Sequence, residues 1–285
     1  RRRDRGGAAV RALVTGGAGF IGSHLVDALL ARGDDVVVLD NLATGRLDNL
    51  PAGVRVIEGD VTDPDTVAGA VAGCEVVFHQ AALGSVARSV ANPLASDEAN
   101  VRGTLAVLDA AHRAGVRRVV LASSSSVYGG ASQVPTPETA PLVPRSPYAV
   151  TKLAGEHYAR VFWELHGLET VCLRYFNVFG PRQRHDSPYA AVIPLFVDAL
   201  LRGTPPQVHG DGRQSRDFTF VADAVAANLR AAEAPADRCA GRAYNIARGR
   251  PASLLELLDV LAGELGVSVT PVHTDPRPGD VRHSH

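Results

Sequence analysis

The sequence predicts an α/β fold, a doubly wound parallel sheet covered by helices on both faces, and three observations carry that prediction. Short apolar β-prone runs alternate with amphipathic helical stretches, a glycine-rich turn joins the first run to the first helix, and an acid closes the second run. With 285 residues the chain is long enough for one large α/β domain and a smaller appendage.

Strands are expected near residues 10–15, 35–40, 54–58, 75–79, 117–123 and 169–175, and helices near 20–32, 64–72, 97–114, 148–166 and 188–203. The first strand, Val10 to Thr15, breaks at Gly16-Gly17-Ala18-Gly19-Phe20-Ile21-Gly22. The helix that follows carries Ile21, Leu25, Val26, Leu29 and Leu30 on one face and stops at Arg32-Gly33. Gly16, Gly19 and Gly22 allow the tight turn, let backbone N–H groups approach a pyrophosphate, and let helix pack on strand. The helix N-terminus favours the anion. This is a Rossmann-like dinucleotide site. Asp40 closes the run Val36 to Leu39 at the spacing of a carboxylate that accepts both ribose hydroxyls. It would repel a 2′-phosphate, which favours NAD over NADP, although Arg46 nearby pulls the other way. Asp60-Val61 ends the third strand where the adenine edge is expected. Ala81-Ala82, after Phe78-His79-Gln80, lets the backbone pass close to the cofactor.

Residues 123–152 hold the chemistry. Ser123-Ser124-Ser125-Ser126-Val127-Tyr128-Gly129 is followed, after a Pro-rich loop, by Tyr148-Ala149-Val150-Thr151-Lys152. A Tyr and a Lys four apart share one helix face, and a Ser upstream can reach the same point. Bringing a phenol from near 10 to near neutrality takes ~4 kcal/mol of preferential phenolate stabilisation. One ammonium at ~4 Å in an effective dielectric of ~20 supplies about that much. Lys152 is therefore the expected tuner of Tyr148, with Ser124 holding a substrate hydroxyl in line. A Tyr-x-x-x-Lys pair is common by accident; the dinucleotide signature before it points to redox chemistry on a sugar hydroxyl.

Composition narrows the field. A net charge of −1 removes any global basic field for nucleic acid or membrane. The basic arm Arg1 to Gly7 is followed by no apolar signal-peptide core, and no run reaches the ~20 apolar residues of a membrane span. A soluble, intracellular (cytoplasmic) protein is expected. Cys74, Cys172 and Cys239 show no C-x-x-C pairing, and the histidines show no metal spacing. Reduced, mostly buried thiols and no metal site are expected, with His283 and His285 read as family sequence or tail. The helix at 148–166 has more apolar surface than one core face needs, so with the helix at 97–114 it could form a homodimer by four-helix packing.

Taken in order, these residues resemble the extended short-chain dehydrogenase/reductase family, an NAD-dependent epimerase/dehydratase group, and within it the UDP-hexose 4-epimerases. The resemblance runs from about Val10 onward. Beyond the motifs above it includes Asp40-Asn41-Leu42, Arg174-Tyr175-Phe176-Asn177-Val178-Phe179-Gly180-Pro181, and Gly210-Asp211-Gly212 with Arg216-Asp217-Phe218. It implies a Rossmann domain over residues 8–175 plus about 217–247. A smaller, discontinuous C-terminal lobe for the nucleotide sugar would span about 176–216 and 248–285. By resemblance Ser124, Tyr148 and Lys152 are catalytic. Gly16, Gly19, Phe20, Ile21, Gly22, Asp40, Asn41, Asp60, Val61, Ala81, Ala82 and Asn100 bind NAD, with Tyr148 and Lys152. Asn177, Arg216 and Arg277 take the diphosphate of a UDP-sugar, Asp280 faces the nucleotide ribose, and Ser85, Ser125, Arg184 and Ser284 border the sugar.

The activity implied is a 4-epimerisation through a 4-keto sugar, with no net consumption of NAD. Dehydratases and decarboxylases of the family carry an acid just after the equivalent of Ser124, where this chain has Ser125 and Ser126. A 4,6-dehydratase, a 4-ketoreductase and a non-catalytic dinucleotide sensor are the alternatives. Ser284 leaves room for a 2-acetamido group, whereas Pro181-Arg182-Gln183-Arg184 resembles glucuronate epimerases whose last Arg holds the C6 carboxylate. UDP-glucose, UDP-N-acetylglucosamine and UDP-glucuronate all stay open.

Overall fold

The computed structural model describes residues 9–130, 133–187, 189–276 and 281–285. Its centre is a sheet of seven parallel strands: β1 (Arg11–Thr15), β2 (Asp35–Asp40), β3 (Arg55–Glu58), β4 (Val76–His79), β5 (Arg118–Ser124), β6 (Glu169–Tyr175) and, after the segment described below, β9 (Arg242–Ile246). The spatial order is β3-β2-β1-β4-β5-β6-β9. The order reverses between β1 and β4, and the crevice beyond the strand ends at that switch point is where such sheets bind ligands.

Alternation along the strands sends Leu13, Val37, Leu39, Val77, Val119 and Leu121 to one face and Ala12, Val14, Val36, Val38, Phe78 and Val120 to the other. The first face packs on α2 (Pro64–Val71), α5 (Gly103–Arg113) and α6 (Pro147–His166) through Val67, Val71, Leu108, Ala111 and Phe162. The second packs on α1 (Phe20–Ala31) and α8 (Val221–Glu233) through Leu25, Val26, Leu29, Ala224 and Val225. Burial on both faces explains why these strands are near-continuous apolar runs.

The helix expected at 97–114 is interrupted. After α3 (Val86–Ala91) and α4 (Pro93–Asp97), a π turn at Glu98–Arg102 precedes α5. Asn100 in that turn spends its side chain on Leu83, accepting from the amide (2.7 Å) and donating to the carbonyl (3.2 Å), and donates to Thr151 Oγ1 (3.0 Å). The Asn100 carbonyl accepts from the Thr104 hydroxyl. Likewise the helix expected from 188 begins later, as α7 (Val192–Leu201), because a turn closes from Ala190 N to Ser187 O.

Between β6 and β9, and again after β9, the chain builds a second body. The first stretch contributes α7, β7 (Gln207–His209) and β8 (Ser215–Asp217), before α8 and the short α9 (Ala236–Cys239) return to the sheet. The second contributes β10 (Pro251–Ser253), α10 (Leu254–Leu265), β11 (Val272–Thr274) and β12 (His283–Ser284). β8 is the middle strand of β10-β8-β12, β11 pairs with β7, and Phe196, Leu200, Val208, Leu254 and Leu258 form a separate small core. No helix among the described residues is long and apolar enough to cross a membrane.

Candidate active site

The glycine turn is shaped by contact. Gly16 has φ +67°, and a Cβ there would stand 2.7 Å from the Ala81 backbone, so the β1 and β4 ends approach as only glycine allows. Gly19 caps α1 with no side-chain hydrogen bond, leaving the first-turn amides to an anion. Asp40 is buried at the end of β2, where Oδ2 accepts from Ala18 N (2.9 Å) and Oδ1 from Leu42 N (2.8 Å). That aims the carboxylate while keeping acceptor capacity for a ribose diol. Asn41 Nδ2 donates to Asp60 Oδ2 (2.7 Å), joining two of the expected adenosine-side residues. Burial pushes the Asp60 carboxyl up, but hydrogen bonds from Thr62 and Asn41 prevail and hold it below the usual range. Val61 is buried against Gly103. These backbone amides and carboxylates fit a dinucleotide.

Beneath this floor, His79 is sealed between two hydroxyls, Thr15 Oγ1 on Nδ1 (2.8 Å) and Thr104 Oγ1 on Nε2 (2.9 Å). Burial, with the charge of Lys152, pulls it down to about 3, so it is a neutral strut. It ties Ala81, whose amide donates to Thr15 Oγ1 (3.3 Å), to the π turn.

A cavity of about 420 Å³ opens beside the turn. Phe20, Ile21, Ser85, Ser124, Ser125, Tyr148, Asn177, Arg216 and Ser284 line it, so residues from both ends of the chain meet as expected. Ser85 (φ 114°) and Asn177 (φ 38°) are held in a backbone region that side chains rarely adopt. The Asn177 amide donates to Asp217 O (3.0 Å). In the cavity lining, the Ser125 and Ser284 hydroxyls are hydrogen-bonded to each other (3.4 Å). Arg216 NH1 is braced on Ser215 O (2.8 Å).

Ser124 ends β5 and opens a 3₁₀ turn, Ser125–Tyr128, whose Ser126 amide donates to Ser124 Oγ (3.2 Å). The Ser124 hydroxyl also lies close enough to the Tyr148 phenol to pull its pKa down. Ser146 N-caps α6 by accepting from Ala149 N (3.2 Å), and Pro147 follows at the first turn. That fixes Tyr148 at the cavity and Lys152 one turn deeper.

The Lys152 arrangement differs from the expected one. Its ammonium donates to Ala122 O (2.9 Å) and lies 5.9 Å from the centre of the Tyr148 ring. Burial pushes the Tyr148 phenol up, opposed by Ser124, so in this structure the hydroxyl and not the ammonium is what pulls it down. Lys152 is itself brought to about 8 by burial, with the Cys172 thiol opposing. Its charge therefore drains away as pH rises through about 8, and kcat is expected to fall over the same interval. Lys152→Arg, which stays charged, is expected to lose that limb. A kcat–pH series on both proteins checks this.

Arg184 is placed elsewhere. It grips Asp186 through Nε (2.8 Å) and NH2 (3.1 Å) on the outer surface, where Asp186 also meets Arg46 (2.7 Å). Its NH1 reaches Thr44 O (3.4 Å), so it belongs to the rim near Asp40 and does not line the cavity. Arg277 and Asp280 lie outside the described residues. His283, read from sequence as tail, lines the cavity, because β12 runs parallel to β8 and Ser215 Oγ meets its Nδ1 (2.7 Å). Thr136 and Arg145, both in the Pro-rich loop, also line it. No spacing marks them; only the fold of that loop back over Gly129 brings them in.

The model of the NAD dependent epimerase/dehydratase family matches residues 12–247. The chain belongs to this family. The UDP-glucose 4-epimerase of Mycolicibacterium smegmatis is 43% identical over 283 residues, covering 96% of this chain and 89% of that one. A UDP-N-acetylglucosamine 4-epimerase from Methanobrevibacter ruminantium, solved with UDP-N-acetylmuramic acid, superposes with a TM-score of 0.92 at 40% identity, covering 97% of this chain and 88% of its own. The UDP-glucose 4-epimerase of Thermus thermophilus, solved with NAD, gives a TM-score of 0.89 at 39% identity, covering 96% and 89%. Within the epimerase/dehydratase family the serines at 125 and 126 are informative: the described cavity lining contains no carboxylate.

Proposed function

We propose that the chain is an NAD-dependent UDP-hexose 4-epimerase, an isomerase that interconverts gluco and galacto sugars through a 4-keto sugar. One observation carries this reading: Ser124 and Tyr148 line one cavity that joins the glycine turn to Asn177 and Arg216. NAD, when bound, supplies a reversible two-electron acceptor for the C4 hydrogen. Tyr148 takes the C4 hydroxyl proton and later returns it, with Ser124 holding the oxygen and the buried ammonium of Lys152 sustaining the field. Arg216 and Arg145, guanidinium groups on a lining free of described carboxylates, suit a diphosphate. Holding the substrate by that anion lets the sugar present either face to Tyr148. The absence of a carboxylate from the described lining favours epimerisation over dehydration, which needs an acid or base beyond Tyr148.

The placement of Arg184 supports a neutral or N-acetylated hexose over a uronate. Incubating the purified protein with UDP-glucose, UDP-N-acetylglucosamine and UDP-glucuronate in turn, and following H4 and anomeric protons by NMR, tests both parts. Galacto-configured product without net NADH is expected from the first two sugars; a 4-keto or deoxy product would overturn the epimerase reading. Arg184→Ala is expected to leave kcat/KM for the neutral sugars within about twofold, as for other exposed pairs.

A homodimer through α6 and its neighbours is part of the same reading. Val150 (52% exposed), Val161 (43%) and Leu165 (73%) are exposed on α6, as are Val90 (57%) on α3 and Leu94 (81%) on α4, two helices that pack on α6. Light scattering on the eluting protein tests it. Three buried, unpaired cysteines support a cytoplasmic setting.

A further inference from the structure

We propose that Asn245, on the outermost strand of the sheet and outside the cavity lining, is a positioning residue for the reaction. It acts through a buried ion pair behind the catalytic turn. The inference rests on the epimerase reading above.

Ser123, Arg174 and Asn245 occupy one row across β5, β6 and β9, with Ser123 opposite Arg174 and Arg174 opposite Asn245. Register neighbours in a parallel sheet project to the same face. Glu156, one helical turn beyond Lys152 on α6, covers this row. Its Oε1 accepts from Ser123 Oγ and from Arg174 Nε (2.9 Å), and its Oε2 accepts from Arg174 NH2 (2.7 Å). All three side chains are buried. Arg174 NH1 then donates to Tyr128 Oη (2.7 Å), and Tyr128 donates to Asn245 Oδ1 (2.7 Å). The Tyr128 ring lines the cavity, yet its hydroxyl has its donor and an acceptor site committed to this network.

Two branches leave the same ion pair and reach two different segments of the cavity lining. One passes through Ser123 to its neighbour Ser124. The other passes through Tyr128 to Asn245, whose Nδ2 donates to Thr136 O (3.0 Å) and whose backbone amide donates to Glu138 Oε1 (2.8 Å). Thr136 in turn gives both its amide and its hydroxyl to His285 O (2.8 Å each). His285 follows Ser284, which is hydrogen-bonded to Ser125 (3.4 Å). Ser123 and Tyr128 bracket the catalytic turn, so one network sets the turn from behind and the facing wall at the same time. Asn245 joins the two with the shortest bonds, its side chain accepting from the turn and donating to the wall, beside longer links from Arg174 NH1 to Glu138 O (3.3 Å) and between Ser125 and Ser284 (3.4 Å).

Removing that junction leaves the ion pair and every cavity-lining side chain in place. Asn245→Ala is therefore expected to lower kcat/KM for the UDP-hexose about tenfold, the scale of one lost buried hydrogen bond expressed at the transition state. Most of the loss should fall in kcat, with bound NAD content unchanged. Tyr128→Phe cuts the same junction from the other side, so the double variant should lose no more than the larger single one. Steady-state kinetics, bound-nucleotide content and thermal unfolding on the wild type, both single variants and the double variant make the test. A purely structural residue would lower the melting temperature and leave kcat per folded enzyme unchanged; that result, or losses that multiply in the double variant, overturns the proposal. Should Asn245→Ala not fold, Tyr128→Phe decides by the same kcat criterion. A wild type that epimerises no UDP-hexose takes down the epimerase reading and this inference together, whereas an active wild type matched by both variants removes this inference alone.

Discussion

Tyr148→Phe is expected to reduce kcat by about 10²- to 10⁴-fold, the range a positioned proton-transfer group contributes, while NAD content and UDP-sugar affinity stay near wild type. The argument is geometric. Tyr148 lines the cavity beside Ser124, whose hydroxyl favours its phenolate, and its ring is held in α6 by the Ser146 cap and Pro147. Phenylalanine keeps the ring and the packing and deletes the group proposed to accept the C4 hydroxyl proton. Ser124→Ala should be milder, because it removes an orienting hydrogen bond and leaves the proton acceptor. The readout is single-turnover conversion followed by proton NMR, alongside the absorbance of nucleotide released on denaturation. A Tyr148→Phe protein within tenfold of the wild-type kcat would assign the proton transfer to another group.

Gly22→Ala is expected to be nearly as damaging by a different route. A Cβ at this position would stand 2.2 Å from Gly16 O and 2.9 Å from Gly17 Cα. Both are backbone atoms of the turn, so α1 must lift away from it. Displacing the first-turn amides by about 1 Å is expected to weaken NAD binding on the order of 10²-fold, and overpacking the turn should cost about 1–3 kcal/mol of stability. Fluorescence titration with NAD and urea unfolding measure the two effects. Gly69→Ala is the control: it lies within α2 with nothing inside 4 Å of the added carbon. There the change should leave NAD affinity alone and stabilise by about 0.5–1 kcal/mol. Equal affinity in Gly22→Ala and wild type would mean the amides of this turn are not the anion site.

The sheet was legible because its strands are buried on both faces and so stand out as unbroken apolar runs; β1 to β6 fall within a residue or two of the expected positions. Asp40 and the glycines were legible because their spacing is local. The individual strands of the second body were not. Its strands have two or three residues each, and β8 finds β12 and β10 only through pairings across a long stretch of chain. Hence His283 read as tail, and Thr136 and Arg145 carried no signal. Arg184 shows the reverse failure: its neighbours Pro181 to Gln183 suggested a sugar contact, but Asp186 two residues on captures the guanidinium locally. The π turn escaped because periodicity cannot register one added residue when the apolar face continues past it. Lys152 was found by spacing, and only the carbonyl of Ala122 reveals where its ammonium goes.

The span of the cavity walls, from Phe20 and Ile21 to His283 and Ser284, bears on how the molecule comes to be functional. Contacts between segments so far apart carry the largest loop-closure cost and are among the last to be secured during folding. The glycine turn, Asp40 and the Tyr148–Lys152 helix all lie before residue 167, so the nucleotide-accepting half can be assembled while the sugar-facing wall is still unmade. A nascent or partly denatured chain should then protect its β1–β5 amides from exchange well before it protects β8 and β12, and should acquire NAD affinity before it acquires any affinity for a UDP-sugar.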